Sequence, residues 1–230
     1  MNLLQQRIQK IEQDIQAACD RAGRNRTEVT VIAVTKAVSA TRTSEVVDAG
    51  IHQLGENRAE GLLGKQNSIQ DGAEWHFIGN VQSRKVKDII NRIDYLHSVD
   101  RLGIVKEIQK RTDRIIDCFV QVNVSGEESK SGITPAELGH FIEQVATYDK
   151  IRIVGLMTMA PLTENQDEIR TVFRTLRELR DGVSARNLPH APCNQLSMGM
   201  SNDYIIAIEE GATHVRIGTA LVGAESGKDG

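Results

Sequence analysis

Short apolar segments alternate with amphipathic ones along most of this chain. The opening stretch stands apart. Leu4, Ile8, Ile11, Ile15 and Ala18 recur at steps of four and three, which predicts a helix with one buried face that Gly23 terminates. No strand precedes it, so it lies outside the repeat that follows. From there the pattern predicts strands at 29–35, 51–54, 75–78, 95–98, 115–124, 151–157, 194–197 and 214–217. Between them lie helical patterns: one carrying Val46, Val47 and Ala49 and stopping at Gly50, then 58–65, 83–90 and 102–110. The next starts at Thr134-Pro135, with Thr134 as N-cap and the proline at the first helical position. Two more cover 165–185 and 203–210, and a short one follows the last strand.

Strict alternation implies a parallel sheet with crossover helices. Eight units favour closure into a single α/β (β/α)8 TIM barrel with an extra N-terminal helix. An open doubly wound sheet is the alternative, but it lacks a Gly-rich dinucleotide fingerprint. The expected organisation is one domain over 1–230, with the added helix at 1–23 and a loose tail at 225–230.

Composition narrows the class. With 230 residues there is room for one well-buried barrel, and only 3% are aromatic, so the core must rest on Val, Ile, Leu and Ala. The net charge of −3 and the lack of a Lys/Arg block remove the electrostatic footprint of a nucleic-acid binder. No run is apolar enough to span a bilayer, and the polar, periodic start is unlike a signal peptide. Cys19, Cys118 and Cys193 are odd in number and far apart, which suggests neither metal ligation nor a disulfide framework. A reduced, cytoplasmic protein is the expectation.

Barrels of this type carry their chemistry at the C-terminal ends of the strands. Lys36 follows the first strand. An amine partly desolvated at a barrel mouth is a nucleophile, although a lysine at a strand end more often snorkels into water. Gly55-Glu56-Asn57-Arg58 follows the second strand; Glu56 and Asn57 could orient a ligand ring, or Asn57 could cap the next helix. Met198 to Asp203 follows the seventh, where Ser201 is a natural N-cap, and Arg216-Ile217-Gly218-Thr219 closes the eighth. Phosphate sites in this fold are commonly built after strands seven and eight, from helix-start amides. His76 reads as a hydrogen-bonded core residue, Met157 and Met159 as packing, and 125–132 as a lid or a surface loop.

These blocks, with Trp75-His76-Phe77-Ile78-Gly79, Glu127 to Gly132 and Gly155 to Met159, resemble one family in order over about 30–223. It is the pyridoxal phosphate homeostasis protein family, known as YggS in bacteria and PROSC in animals, and the chain resembles a cyanobacterial member. It implies a barrel like the N-terminal domain of alanine racemase with pyridoxal 5'-phosphate (PLP) bound. Lys36 matches the Schiff-base lysine and Asn57 a residue near the cofactor ring. Ser201, Gly218 and Thr219 match the phosphate-binding segments. Arg216 matches a cofactor-contacting arginine, facing either the ring nitrogen or the phosphate. Asn80 replaces a histidine common in the family, and no arginine follows Gly223.

The resemblance implies an intracellular PLP carrier without robust catalysis, with PLP and apo-PLP enzymes as partners. A PLP-dependent racemase or lyase is the alternative. A racemase needs acid/base groups on both faces of its substrate adduct. Alanine racemase takes one, a tyrosine, from a second domain; Tyr95, Tyr148 and Tyr204 have no evident claim to that role. A PLP-independent barrel enzyme acting on a phosphorylated metabolite and a regulatory partner protein complete the alternatives.

Overall fold

The computed structural model describes residues 2–69 and 72–225. Eight parallel strands close on themselves in sequence order: β1 (Thr30–Val34), β2 (Gln53–Glu56), β3 (Glu74–Phe77), β4 (Tyr95–Val99), β5 (Ile116–Gln121), β6 (Ile151–Met157), β7 (Gln195–Met200) and β8 (His214–Ile217). β1 pairs with β8 through Thr30↔His214 and Ile32↔Arg216, which abolishes the sheet edges. The expected barrel is therefore the observed one.

Strand period decides what the barrel contains. Along β3, Trp75 and Phe77 join the apolar layer between strands and helices, so His76 turns inward. By the same alternation Gln53, Gly55, Tyr95, His97, Phe119, Gln121, Ser197, His214 and Arg216 face the axis. Apolar filling there is limited to a small cluster, Phe119, Val154 and Met157, and to Ile32 and Val34 on the inward face of β1, among the described residues. Met157 thus packs, as expected. Four inward rings, His76, Tyr95, His97 and His214, occupy space that branched aliphatics usually take in this fold.

The outer layer comprises α2 (Ala40–Asp48), α3 (Ala59–Gln66), α4 (Val86–Ile89), α5 (Leu102–Arg111), α6 (Leu138–Val145), α7 (Gln166–Ser184), α8 (Tyr204–Glu209) and α9 (Thr219–Val222). The predicted cap at Thr134 is present as a capping box with Glu137, opening a 3₁₀ turn before α6. The added helix α1 (Leu3–Ala22) buries Leu4, Ile11, Ile15 and Ala18 and ends at Gly23, whose φ of 66° suits glycine. It lies along α8 and α9 on the barrel wall. Tyr204 donates to Asp14 at 3.0 Å and Arg21 pairs with Glu209, tying it there. The expected loose tail lies outside the described residues apart from Glu225, which accepts from the Ser39 amide and hydroxyl.

Three strands differ from expectation by two residues or more. β2 begins and ends two residues later, β5 ends three residues earlier at Gln121, and β7 runs on to Met200. Gly55 and Glu56, and Met198 to Met200, are therefore strand residues and not loop residues. Barrel closure sets these limits: β2 must reach Glu56 to pair with Phe77 of β3.

Candidate functional site

The C-terminal ends of the strands gather most of the predicted residues. Lys36 sits in the first turn beyond β1, which closes with a Val38 N–H to Thr35 carbonyl bond of 3.0 Å. It is exposed, so the partial desolvation expected of it is not seen. Its footing is rigid. The Thr35 hydroxyl donates to Glu56 Oε1 at 2.6 Å, and Lys65 Nζ donates to the same oxygen and to the Thr35 carbonyl. All three residues are buried.

That network corrects the reading of Glu56. Glu56 shares the outward face of β2 with Leu54, so it lies under α3 against Lys65 and cannot orient a ligand at the axis. Asn57, the next residue, is half-buried at the rim. It does not cap α3, whose N-cap position is Arg58 with no side-chain bond. The backbone of Asn57 is pressed against Gly79: a Cβ there would meet the Asn57 carbonyl oxygen at 2.3 Å. Glycine in that motif allows the loops after β2 and β3 to touch.

Ser201 is not an N-cap either. Asp203 takes that position at α8, makes no side-chain cap bond, and accepts from the Met200 amide at 2.6 Å. The Ser201 hydroxyl instead accepts from the Gly218 N–H at 3.3 Å, which joins the segments after β7 and β8. Thr219 and Ala220 follow, exposed in the first turn of α9, where amides have no intrahelical partner. Gly199, with φ 91°, lets α8 come close; a Cβ would lie 2.5 Å from Ala207 Cβ.

Arg216 is 4% exposed inside the barrel. It donates to Ser197 Oγ at 2.6 Å and to the Thr158 carbonyl at 3.0 Å, leaving three of the five guanidinium N–H groups. Among the described residues no carboxylate stands within ion-pair distance of it. Desolvation lowers its pKa to about 10, with Asp203 acting in the opposite direction. A buried cation held by neutral acceptors is poised for an acceptor or anion from outside. Gln121, at the end of β5, carries a buried Oε1 without a partner.

The loop at 125–132 is tied to itself through Asn123, whose side chain holds the Gly126 amide and the Glu127 and Lys130 carbonyls. Asn80 donates to Ser131 Oγ at 3.0 Å and Gln121 to the Ser131 carbonyl, so this loop borders the mouth between β3 and β6.

What the sequence reading missed is a polar chain across the interior. Ser197 Oγ lies 2.8 Å from His97 Nδ1, His97 Nε2 lies 2.9 Å from His76 Nδ1, and His76 Nε2 lies 2.5 Å from Gln53 Oε1. Burial lowers the His76 pKa to about 3 and that of His97 well below its ordinary value. The signal was present as polar or aromatic residues two apart in β3 (Glu74, His76), β4 (Tyr95, His97), β7 (Gln195, Ser197) and β8 (His214, Arg216).

Residues 7–226 match the family described as alanine racemase, N-terminal domain. A pyridoxal phosphate homeostasis protein of Aquifex aeolicus is 40% identical over 225 residues, 95% of this chain and 96% of that protein. Among solved structures, PipY of Synechococcus elongatus PCC7942 with PLP bound superposes with a TM-score of 0.77 at 28% identity, over 91% of this chain and all of that one. An alanine racemase from Corynebacterium glutamicum (TM-score 0.67, 18% identity, 95% of this chain and 62% of that one) shares the fold.

Proposed function

The chain belongs to the pyridoxal phosphate homeostasis protein family, built on the alanine racemase N-terminal domain, and from that premise we propose that it holds PLP reversibly on Lys36 as an intracellular carrier. The observation that carries this reading is the set of groups at one end of the barrel. An exposed amine, a linked hydroxyl and amide after β7 and β8, and a buried guanidinium with no ion-pair contact among the described residues share the mouth.

Those groups fit PLP by their chemistry. Its aldehyde requires a primary amine, which Lys36 supplies. Its phosphate requires hydrogen-bond donors, which the Ser201 hydroxyl, the Gly218 and Thr219 amides and the Thr219 hydroxyl offer, the Gly218 amide now donating to Ser201 Oγ. Arg216 donates to the ring nitrogen or the phosphate, and Asn57 borders the ring. Bound PLP supplies reversible imine formation with amines and an electron sink for carbanions.

Carriage fits these residues better than racemisation. A racemase needs a proton donor and acceptor held on opposite faces of its substrate. Tyr204 is engaged with Asp14 beneath α1, and Tyr95 stacks on His76 at 4.5 Å near the start of β4. Neither is free at the mouth. An exposed lysine suits exchange of PLP with apo-enzymes, because the linkage stays open to water and to competing amines.

The test is the visible spectrum of the purified chain with added PLP, followed by borohydride reduction and mass measurement. The expected result is a Schiff-base band and one pyridoxyl adduct on Lys36, both lost in Lys36→Ala. A wild-type chain that takes up no PLP refutes the proposal. Steady exchange of an amino-acid α-proton for solvent deuterium would favour the racemase alternative.

A further inference from the structure

The direction of the hydrogens in the chain that ends at Arg216 is read from its Gln53 end. The Gln53 amide nitrogen donates to Glu74 Oε2 at 3.0 Å, which turns its oxygen toward His76. His76 Nε2 therefore donates to Gln53 Oε1. With both imidazoles neutral, His76 Nδ1 then accepts from His97 Nε2–H, and His97 Nδ1 accepts from the Ser197 hydroxyl. At the other end a guanidinium only donates, so Ser197 Oγ accepts from Arg216, which is compatible with its donating to His97. The chain is therefore a one-way sequence from a donor-only cation to an acceptor, spanning β8, β7, β4, β3 and β2.

Two stacking contacts hold the rings in plane for it. His76 lies on Tyr95 at 4.5 Å and 5°, and His97 on Phe119 at 4.3 Å and 23°. Such a chain conducts no proton toward the mouth, because its mouth end is an arginine that never accepts one. What it does is hold a geometry. Ser197 has its donor and acceptor roles assigned by His97, so the Arg216 guanidinium is fixed between Ser197 and the Thr158 carbonyl, and its remaining N–H groups keep one orientation.

We propose that His97 and His76, acting through Ser197, are positioning residues that orient Arg216 for the ligand at the barrel mouth; this rests on the PLP-carrier reading above. His97 and His76 touch neither Lys36 nor the segments after β7 and β8 among the bonds of the described residues. Their effect reaches the ligand only through the arginine.

Two measurements on the full chain test it. The first needs no ligand: imidazole ¹⁵N spectra at pH 7 are expected to show His76 and His97 neutral, each protonated on Nε2. An Nδ1–H tautomer or an imidazolium at either residue overturns the proposal. The second is a mutant cycle in PLP binding. His97→Phe keeps the stacking on Phe119 and removes both nitrogens. It is expected to weaken PLP binding about tenfold and to shift the visible band while the Lys36 adduct still forms. In an Arg216→Gln background the same substitution is expected to change neither. Unaltered binding and spectrum in His97→Phe, or an equal loss in the Arg216→Gln background, overturns the positioning role. A wild-type chain that binds no PLP sinks the carrier reading and the positioning role with it, whereas wild-type PLP uptake with unaltered binding in His97→Phe sinks the positioning role alone.

Discussion

Acid should unfold this protein through its interior. His76, His97 and His214 are buried with pKa values lowered by desolvation, to about 3 for His76, well below the ordinary value for His97 and to about 4 for His214. Each is neutral when folded and titrates near 6.5 when unfolded. A base with a depressed folded pKa contributes stability above its unfolded pKa and loses it as the pH falls toward the folded value, here from about 6.5 down to about 4 for His214 and about 3 for His76. At pH 5.5 an unfolded histidine has bound about 0.9 proton, so unfolding should take up about 2.7 protons from these three. At pH 5 the loss is about 2 kcal/mol each, about 6 kcal/mol together, comparable with the whole stability of a typical domain. Asp100 and Asp203, whose pKa values burial raises, act with the opposite sign and reduce the total. The assay is proton uptake on urea unfolding at pH 5.5, with unfolding free energies from pH 5 to 8. His214→Gln should lower the uptake by about 0.9 proton. Uptake below one proton in the wild type, or no change in the variant, refutes the reasoning.

Other substitutions probe the mouth and the wall. Glu56→Gln strands Lys65 in a buried site and should cost about 3 kcal/mol by urea unfolding, because breaking one side of a buried pair leaves the other uncompensated. Gly79→Ala drives a methyl into the Asn57 carbonyl and should weaken PLP binding about tenfold, with Lys36 still forming its adduct. Gly199→Ala meets both a positive φ and the Ala207 side chain and should lose about 2 kcal/mol or more by the same unfolding assay. Cys118 and Cys193 are buried with thiol pKa values pushed up, to about 12 for Cys193, so alkylation by iodoacetamide at pH 8 should track unfolding and not the folded state.

The sequence alone determined the eight-unit repeat, the added helix with its capping glycine, and the positions of Lys36, Ser201, Arg216 and Gly218 near strand ends. These depend on local period and on residues that act within a few positions of themselves. Glu56 was misplaced because β2, held by its pairing with β3, runs two residues beyond the apolar run, so Glu56 keeps the outward side of the strand with Leu54 instead of entering a loop at the mouth. Ser201 and Asn57 read as helix caps because capping is the commonest local use of those side chains. Only the closed barrel gave Ser201 a partner seventeen residues away in Gly218 and pressed Asn57 against Gly79. The N-terminal helix was legible as a helix, but not its seat on α8 and α9. The interior chain was the least legible part. Its members are scattered from Gln53 to Arg216, and a hydrogen bond between them depends on the closure of β8 onto β1, a long-range event that no local pattern encodes.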